Sequence, residues 1–321
     1  MTETVKLAVH SMATRFEFIL HGNDAVRLRA AGEEAMEEIL RLEAELGFYQ
    51  AGSEIQRLNN NAAAGPVRIS PMLFDLLRQC GEIHRASDRA FDITIAPLMK
   101  CWGLTGGTGR FPEPEQLKAA KQLLGMDQLV MDRSDYSVRF RQPGVMLDLG
   151  SIGKGFALDI AAEWLRDAGI ESALIHGGTS TVYAIGKPPN EAAWRVGVVK
   201  PEDGPALTEK VNATTENLLT TVELVDESLS VSAIWGKSFE LDGKSYGHVI
   251  DPRSGWPVSG AYLAAVIHPS ATETDALATA LLTLGRSGHD CLKRTYPKLK
   301  TLLALPTGNA DDYEVVSHGL Q

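Results

Sequence analysis

The sequence predicts an α+β protein whose two closely joined lobes enclose a central cleft. Two observations support this fold class. Helical apolar periodicity dominates the early part of the chain, whereas later segments alternate or run apolar in the manner of strands. Runs of strands that are separate from runs of helices are typical of mixed sheets with flanking helices. The 321 residues, 44% of them hydrophobic, are enough to bury a large core.

The first elements follow from apolar spacing and capping residues. Residues 5–20 read as a strand pair broken near 11–14. A helix over 24–47 begins at the cap signal of Asp24, and a second over 70–87 begins at Ser70-Pro71, where proline suits the first turn. Residues 50–66 read as a loop with a short helix near 55–58, and residues 91–98 as extended or loop-like.

The later elements are mostly strands. Helical spacing predicts three further helices, over residues 114–124, 156–168 and 274–284. Short apolar or alternating runs predict strands over residues 128–131, 137–140, 172–176, 194–199, 217–223, 228–231, 261–267 and 299–305.

Composition excludes several classes of function. A net charge of −10 argues against broad binding to nucleic acid or to anionic membranes. No apolar run is long enough to span a bilayer, and the first residues lack the basic and apolar segments of a signal peptide, so we expect a cytoplasmic protein without membrane insertion. Cys80, Cys101 and Cys291 have no metal-ligand spacing and are expected to be reduced thiols.

A glycine-rich stretch near the middle of the chain could bind phosphate. The apolar residues 146–149, expected as a strand, lead into Gly150, Gly153 and Gly155, with Lys154 between the last two and a helix after them. Backbone N–H groups at a helix N-terminus, with a lysine beside them, can receive a phosphate. A tight turn whose glycines adopt positive φ is an equally good interpretation.

Asp275 and Thr279 stand four residues apart, which places their side chains on one face of a predicted helix. Two such oxygen ligands suit a hard cation such as Mg²⁺. The alternative is structural: Asp275 would stabilise the helix N-terminus, and Thr279 would be a core hydroxyl bonded back to a carbonyl.

Two further segments carry candidate groups. His248 leads a predicted strand into a proline turn, where it could exchange a proton or could only hold the turn. Asp251 is expected to form that turn by accepting N–H groups beyond Pro252. Gly177 and Gly178 follow a buried strand, and they either let a flat ligand approach the backbone or only turn the chain.

In this order and at these separations the segments resemble the ApbE family, the FAD:protein FMN transferases, over residues 11–285. The landmarks are Met12-Ala13-Thr14, Phe91–Thr94, Trp102-Gly103, Asp148–Asp159, Gly177-Gly178, His248–Gly255 and Asp275–Thr279. The resemblance implies a single domain over residues 1–321 with a T-fold-related arrangement of mixed sheets and flanking helices.

The resemblance also implies an activity. A Mg²⁺-dependent transferase would take FAD as substrate and move FMN onto a Thr or Ser hydroxyl of an acceptor protein, releasing AMP. Two alternatives remain: hydrolysis of FAD to FMN and AMP, and storage of FAD without turnover.

Residue roles carry over by position. The resemblance implies that Asp275, Thr279 and the carbonyl of Gly153 hold the metal. It further implies that Lys154 faces the FAD phosphates and that His248 is catalytic.

The remaining positions are implied contacts to FAD. Met12 and Thr14 would lie on the flavin side. The acid Asp148 and the turn residues Gly150, Gly177, Gly178 and Asp251 would complete the binding site. One segment departs from the family pattern, Ser232–Lys237, where Thr-Ser-Gly-Asp-Tyr is usual.

Overall fold

The computed structural model describes residues 2–106, 109–201, 217–234, 238–241, 244–307 and 312–320. Gly107-Thr108, and Trp235–Lys237 of the divergent segment, lie outside these residues. The helices are α1 Ala25–Leu46, α2 Glu54–Asn61, α3 Pro71–Ala86, α4 Ala96–Cys101, α5 Pro114–Lys121, α6 Gly153–Asp167, α7 Ala271–Leu284 and α8 Gly288–Lys293.

The strands, in chain order, run from the N-terminal hairpin to an edge strand near the C-terminus. They are β1 Glu3–Ser11, β2 Thr14–Gly22, β3 Val67–Arg68, β4 Leu129–Asp132, β5 Ser137–Phe140, β6 Ser172–Gly177, β7 Thr181–Ile185, β8 Trp194–Val199, β9 Leu218–Leu224, β10 Ser228–Ala233, β11 Ser238–Leu241, β12 Lys244–Gly247, β13 Leu263–His268, β14 Lys300–Pro306 and β15 Tyr313–His318. The α+β class is therefore confirmed.

An antiparallel sheet of eight strands forms the centre, in the order β1-β2-β6-β7-β10-β13-β14-β15. Successive side chains of β2 point to opposite faces of the sheet. Phe16, Phe18 and Leu20 enter the larger core, which lies beneath α1, α6 and α7, while Ile19 faces a smaller core beneath the β8–β9 ribbon. The sheet thus carries α6 and α7 side by side on one face, in mutual contact.

The long helices begin where their caps predict. The side chain of Asp24 accepts N–H groups of Val26 and Arg27 at the start of α1, and the hydroxyl of Ser70 accepts that of Leu73 at the start of α3. A side-chain acceptor at this position satisfies N–H groups that have no partner within the helix. Both helices are confirmed to within a residue or two.

Two helices begin three residues earlier than predicted, which moves candidate residues. Because α6 starts at Gly153, the last two glycines of the central stretch and Lys154 lie in its first turn and not in a loop. Because α7 starts at Ala271, Asp275 lies in the second turn and does not cap the helix; the hydroxyl of Ser270 does so instead.

Three predicted extended segments are wrong. Residues 146–149 form no strand, because side-chain and loop groups hold the backbone: Leu147 bonds through both N–H and C=O to Asn59, and the N–H of Asp148 donates to Ile93. Residues 93–101 fold as a 3₁₀ turn and α4, after Asp92 accepts the N–H of Thr94. In place of the strand expected at His248, the structure has an isolated β-bridge between Ile250 and Pro257.

Two further findings concern the cysteines and the lengths of the helices. No disulfide joins Cys80, Cys101 and Cys291, which are all buried. Of the helices in the described ranges, none is both long and apolar enough to cross a bilayer.

Candidate active site

The carboxylate of Asp275 is the centre at which several predicted residues meet. Its side chain is buried, with the residue 4% exposed, where α7 packs against α6 and β7. Its oxygens accept the N–H of Gly155 at 3.1 Å and the hydroxyl of Thr181 at 3.2 Å. The Lys154 ammonium lies 3.4 Å from Oδ1 and 3.5 Å from Oδ2. A buried anion is thus faced by an ammonium, an amide and a hydroxyl.

This arrangement is possible because Gly155 has no side chain. A Cβ placed there would lie 2.0 Å from the carbonyl oxygen of Ala271 and 2.8 Å from Cβ of Asp275. Any larger residue would separate α6 from α7. The glycine therefore serves helix contact, and it also lets a first-turn N–H of α6 reach the carboxylate.

Thr279 lies one turn after Asp275, on the same face of α7. Its hydroxyl is 3.1 Å from that of Ser232 in β10 and 3.4 Å from the carbonyl oxygen of Asp275. Both the ligand and the back-bonded interpretation of Thr279 are compatible with these contacts. We call Asp275, Thr279, Thr181 and Ser232 the oxygen cluster.

The oxygen cluster has the donor chemistry of a hard-cation site. Within the described residues, no group of three or more His, Cys, Asp or Glu side chains is placed to hold a metal. The cluster instead combines a single carboxylate with neutral hydroxyls, and Mg²⁺ in proteins commonly takes one or two carboxylates and completes its shell with water and phosphate. Gly153 stands at the first residue of α6, directly before Lys154.

The hairpin tip and the second glycine turn also come together. Met12 and Ala13 connect β1 to β2 with φ of 52° and 57°, as a tight hairpin turn requires. Gly178, at φ 71°, donates its N–H to Arg15, and a Cβ on it would lie 2.3 Å from Oγ1 of Thr14. Gly177 pairs with Thr181 across the β6–β7 turn, so this region adjoins the oxygen cluster.

Asp148 and Gly150 form a turn before α6. Oδ1 of Asp148 accepts the N–H of Gly150 at 2.8 Å. Burial raises the pKa of Asp148, and the bond from Gly150 only partly offsets this effect. The surroundings of this aspartate therefore disfavour its charged form.

His248 is half-buried and follows β12. Gly247, the residue before it, packs closely against Ile234, the residue that follows β10. A Cβ on Gly247 would lie 2.7 Å from the carbonyl oxygen of Ile234. Ile234 comes two residues after Ser232 of the oxygen cluster. The backbone just before His248 therefore lies close to the end of the strand that carries Ser232.

Asp251 forms the turn after His248, as predicted. Its carboxylate accepts the N–H of Arg253 and two bonds from the Arg253 guanidinium, at 2.9–3.0 Å. The same guanidinium donates to the carbonyl of Thr283 at 3.3 Å, which fixes the turn to the end of α7. A contact between Asp251 and FAD stays a prediction.

Two members of the oxygen cluster, Thr181 and Ser232, were not found from the sequence. Both lie on strands whose pairing joins residues far apart in the chain: Thr181 pairs with Ser230, and Ser232 pairs with Ala264. The signals that could have found them were weak: Thr181 lies just beyond the Gly177-Gly178 turn, and Ser232 begins the segment that departs from the family pattern.

Comparisons with known proteins bear on the family of the chain. The profile of the ApbE family matches residues 6–303. A curated FAD:protein FMN transferase from Klebsiella pneumoniae is 30% identical over 248 residues, covering 77% of this chain and 73% of its own. The protein of the same name from Escherichia coli K12 is 29% identical over 289 residues, covering 88% and 79%.

Solved structures share the fold. The flavinyl transferase ApbE of Pseudomonas stutzeri, in its apo form, superposes with a TM-score of 0.83 at 25% identity, covering 98% of this chain and 95% of its own. The ApbE protein of Thermotoga maritima gives a TM-score of 0.84 at 24% identity, covering 97% and 96%.

Proposed function

The chain belongs to the ApbE family and is a transferase, and we propose that it moves FMN from FAD onto a Thr or Ser hydroxyl of an acceptor protein, using Mg²⁺. The observation that supports this most directly is the Asp275 carboxylate, buried against the first turn of α6 and facing an ammonium. We further propose that the whole chain works as one domain. A cytoplasmic location stays a prediction.

The oxygen cluster would hold the metal. Asp275 and Thr279 supply a carboxylate and a hydroxyl, and the carbonyl of Gly153 is the proposed third ligand. Mg²⁺ bound there would offset charge on the pyrophosphate oxygens of FAD. Lys154 and the N–H groups at the start of α6 would stabilise the same anion from the protein side.

The chemical step is a displacement at phosphorus. The acceptor hydroxyl oxygen bonds to the phosphorus of the FMN half, and the bond from that phosphorus to the bridging oxygen breaks. AMP leaves with the bridging oxygen, while His248 accepts the hydroxyl proton, a contribution of about 10²–10⁴ in rate.

One assay separates this proposal from its rivals. The protein is incubated with FAD, Mg²⁺ and a peptide bearing a central Thr, and the products are separated by mass. A covalent FMN–peptide adduct with AMP supports the transferase, free FMN with AMP indicates a hydrolase, and bound FAD without products indicates storage.

His248→Ala tests the assigned proton acceptor. We expect transfer to fall about 10²–10⁴-fold, because no other base is assigned to the hydroxyl, while the Kd for FAD stays close to that of the unsubstituted protein. An unchanged transfer rate would refute the role of His248.

A further inference from the structure

An aromatic cluster lies on both sides of His248 in the chain. Trp102 and Phe111 contact each other, and each also contacts Tyr246 and Trp256, with ring centroids 5.1–6.4 Å apart. The tightest contacts are edge-on, Trp102 to Trp256 at 5.1 Å and Phe111 to Tyr246 at 5.4 Å. Edge-to-face packing of this kind makes a rigid assembly.

Part of the cluster faces solvent. Trp102 is fully buried, whereas Phe111 is 37% and Trp256 is 47% exposed. The two exposed rings lie 6.4 Å apart, so they form one continuous apolar surface over a buried tryptophan. Exposed aromatic surface of this kind is enriched where proteins bind partners.

Hydrogen bonds fix this surface to the turn that follows His248. Nε1 of Trp102 donates to the carbonyl of Gly255 at 2.8 Å, and the N–H of Asp251 donates to that of Trp256 at 2.9 Å. Trp256 therefore lies opposite Asp251. Asp251 follows His248 by three residues, which corresponds to about 10 Å of extended backbone. Tyr246 precedes the histidine by two residues.

A basic groove continues the surface. The helix α5, the residue after it and the turn before Trp256 form a groove lined by Pro114, Leu117, Lys118, Lys121, Gln122 and Ser254. Both lysines are exposed, and Nζ of Lys121 donates to the carbonyl of Ser254 at 3.1 Å. None of the described residues that line the groove is a carboxylate, although the chain carries a net charge of −10.

We propose that the aromatic cluster and this groove bind the acceptor protein, as an extended segment with apolar and acidic residues beside its reactive hydroxyl. This inference rests on the proposed function and adds the partner's chemistry to it. The two lysines complement carboxylates of the acceptor, and the exposed rings supply anchors of the kind that dominate interface energies. The surface adjoins the residue proposed to take the proton from the acceptor.

Other occupants predict other results. A second copy of this chain would hide the rings in a dimer, and the flavin ring of FAD would make them part of the FAD site. If an acceptor segment binds this surface, replacing an exposed ring should raise the KM for the acceptor and leave the Kd for FAD unchanged.

The experiment uses the full chain with FAD and Mg²⁺ and three peptides of about twelve residues, each with a central Thr. The flanking residues are Asp in the first, Ser and Gly in the second, and Lys in the third. The variants are Trp256→Ala and the pair Lys118→Glu with Lys121→Glu. The matched controls are Trp164→Ala, a tryptophan that is 45% exposed on α6, and Lys298→Glu, an exposed lysine before β14.

We expect the protein to prefer the Asp-flanked peptide. Trp256→Ala should raise the KM for this peptide about 30-fold, the loss typical of an interface anchor, with the Kd for FAD unchanged and no effect of Trp164→Ala. The double lysine variant should remove or reverse the preference, and Lys298→Glu should not.

Several results would overturn the inference: equal transfer to all three peptides, an unchanged KM in Trp256→Ala, a raised Kd for FAD in that variant, or a dimer that Trp256→Ala dissociates. If the unsubstituted protein modifies no peptide, the proposed function fails and the inference fails with it. Transfer that is insensitive to the variants refutes the inference alone.

Discussion

Two carboxylates lie where α6 meets α7, and their surroundings differ. Asp159 of α6 accepts four short bonds, from the N–H groups of Ala271 and Thr272 and from the hydroxyls of Ser270 and Thr272, at 2.6–2.8 Å. Asp275 of α7 has contacts of 3.1–3.5 Å, one of them to an ammonium.

We interpret Asp159 as a structural acid and Asp275 as the proposed metal ligand. Asp159 is saturated by the N-terminus of α7, where N–H groups and the helix dipole favour an anion. Asp275 has longer contacts and keeps lone pairs for another cation. Sequence position alone does not distinguish them, since both belong to segments that resemble the ApbE family.

Replacing Asp275 should have the largest effect. We expect Asp275→Asn to lower the transfer rate about a thousand-fold or more, because the amide removes the proposed anionic metal ligand. The loss of stability should be smaller than in Asp159→Asn, since the amide keeps an acceptor for Gly155 and fewer hydrogen bonds are lost. A variant that retains full transfer would place the metal elsewhere.

Asp159→Asn should show the reverse pattern. We expect a loss of about 3 kcal/mol in the free energy of unfolding, because an amide offers one acceptor where two charged oxygens receive four bonds. Transfer per folded molecule should stay nearly constant. Urea unfolding of both variants measures this contrast, and equal stabilities would remove the distinction between the two acids.

Thr181→Val tests a residue that positions Asp275. We expect about a tenfold loss of Mg²⁺ affinity, the lower end of the effect when a group that orients a ligand is removed, with the fold retained. Thr283→Val is the control, because the Thr283 hydroxyl bonds only to the carbonyl of Thr279 among the contacts that the structure gives it. Isothermal titration with MgCl₂ measures the Mg²⁺ affinity of both variants. An equal loss of affinity in the two would count against the assignment.

The smallest effect concerns Asp148. Since burial raises its pKa, the folded protein holds the proton more tightly than the unfolded chain does, and this contribution to stability is lost as pH rises through the raised pKa. Asp148→Asn should remove that loss, so the variant gains melting temperature relative to the unsubstituted protein as the pH rises above about 4. Parallel melting curves at all pH values would contradict the cause given for the shift.

The sequence predicted those parts of the site whose signals are local. The spacing of Asp275 and Thr279, and the closeness of the glycines and Lys154 to the start of a helix, follow from helix geometry and chain order. The caps of α1 and α3 were equally readable, because capping depends on residues three or four apart.

The parts that it missed depend on long-range pairing. Thr181 and Ser232 reach α7 only because β7 and β10 become neighbours in the sheet. The segment before α6 resembled a strand, but its polar backbone groups bond to Asn59, which is 88 residues away in the chain. A side chain that replaces a neighbouring strand leaves no periodic signal.

The central claim is that Asp275, and not Asp159, binds the divalent ion. Titration of MgCl₂ into the FAD-bound protein, followed by calorimetry, tests it most directly in the unsubstituted protein, Asp275→Asn and Asp159→Asn at a temperature where all three are folded. We predict that Mg²⁺ binding is lost in Asp275→Asn and retained in Asp159→Asn. Equal Mg²⁺ affinity in Asp275→Asn and the unsubstituted protein would contradict the account.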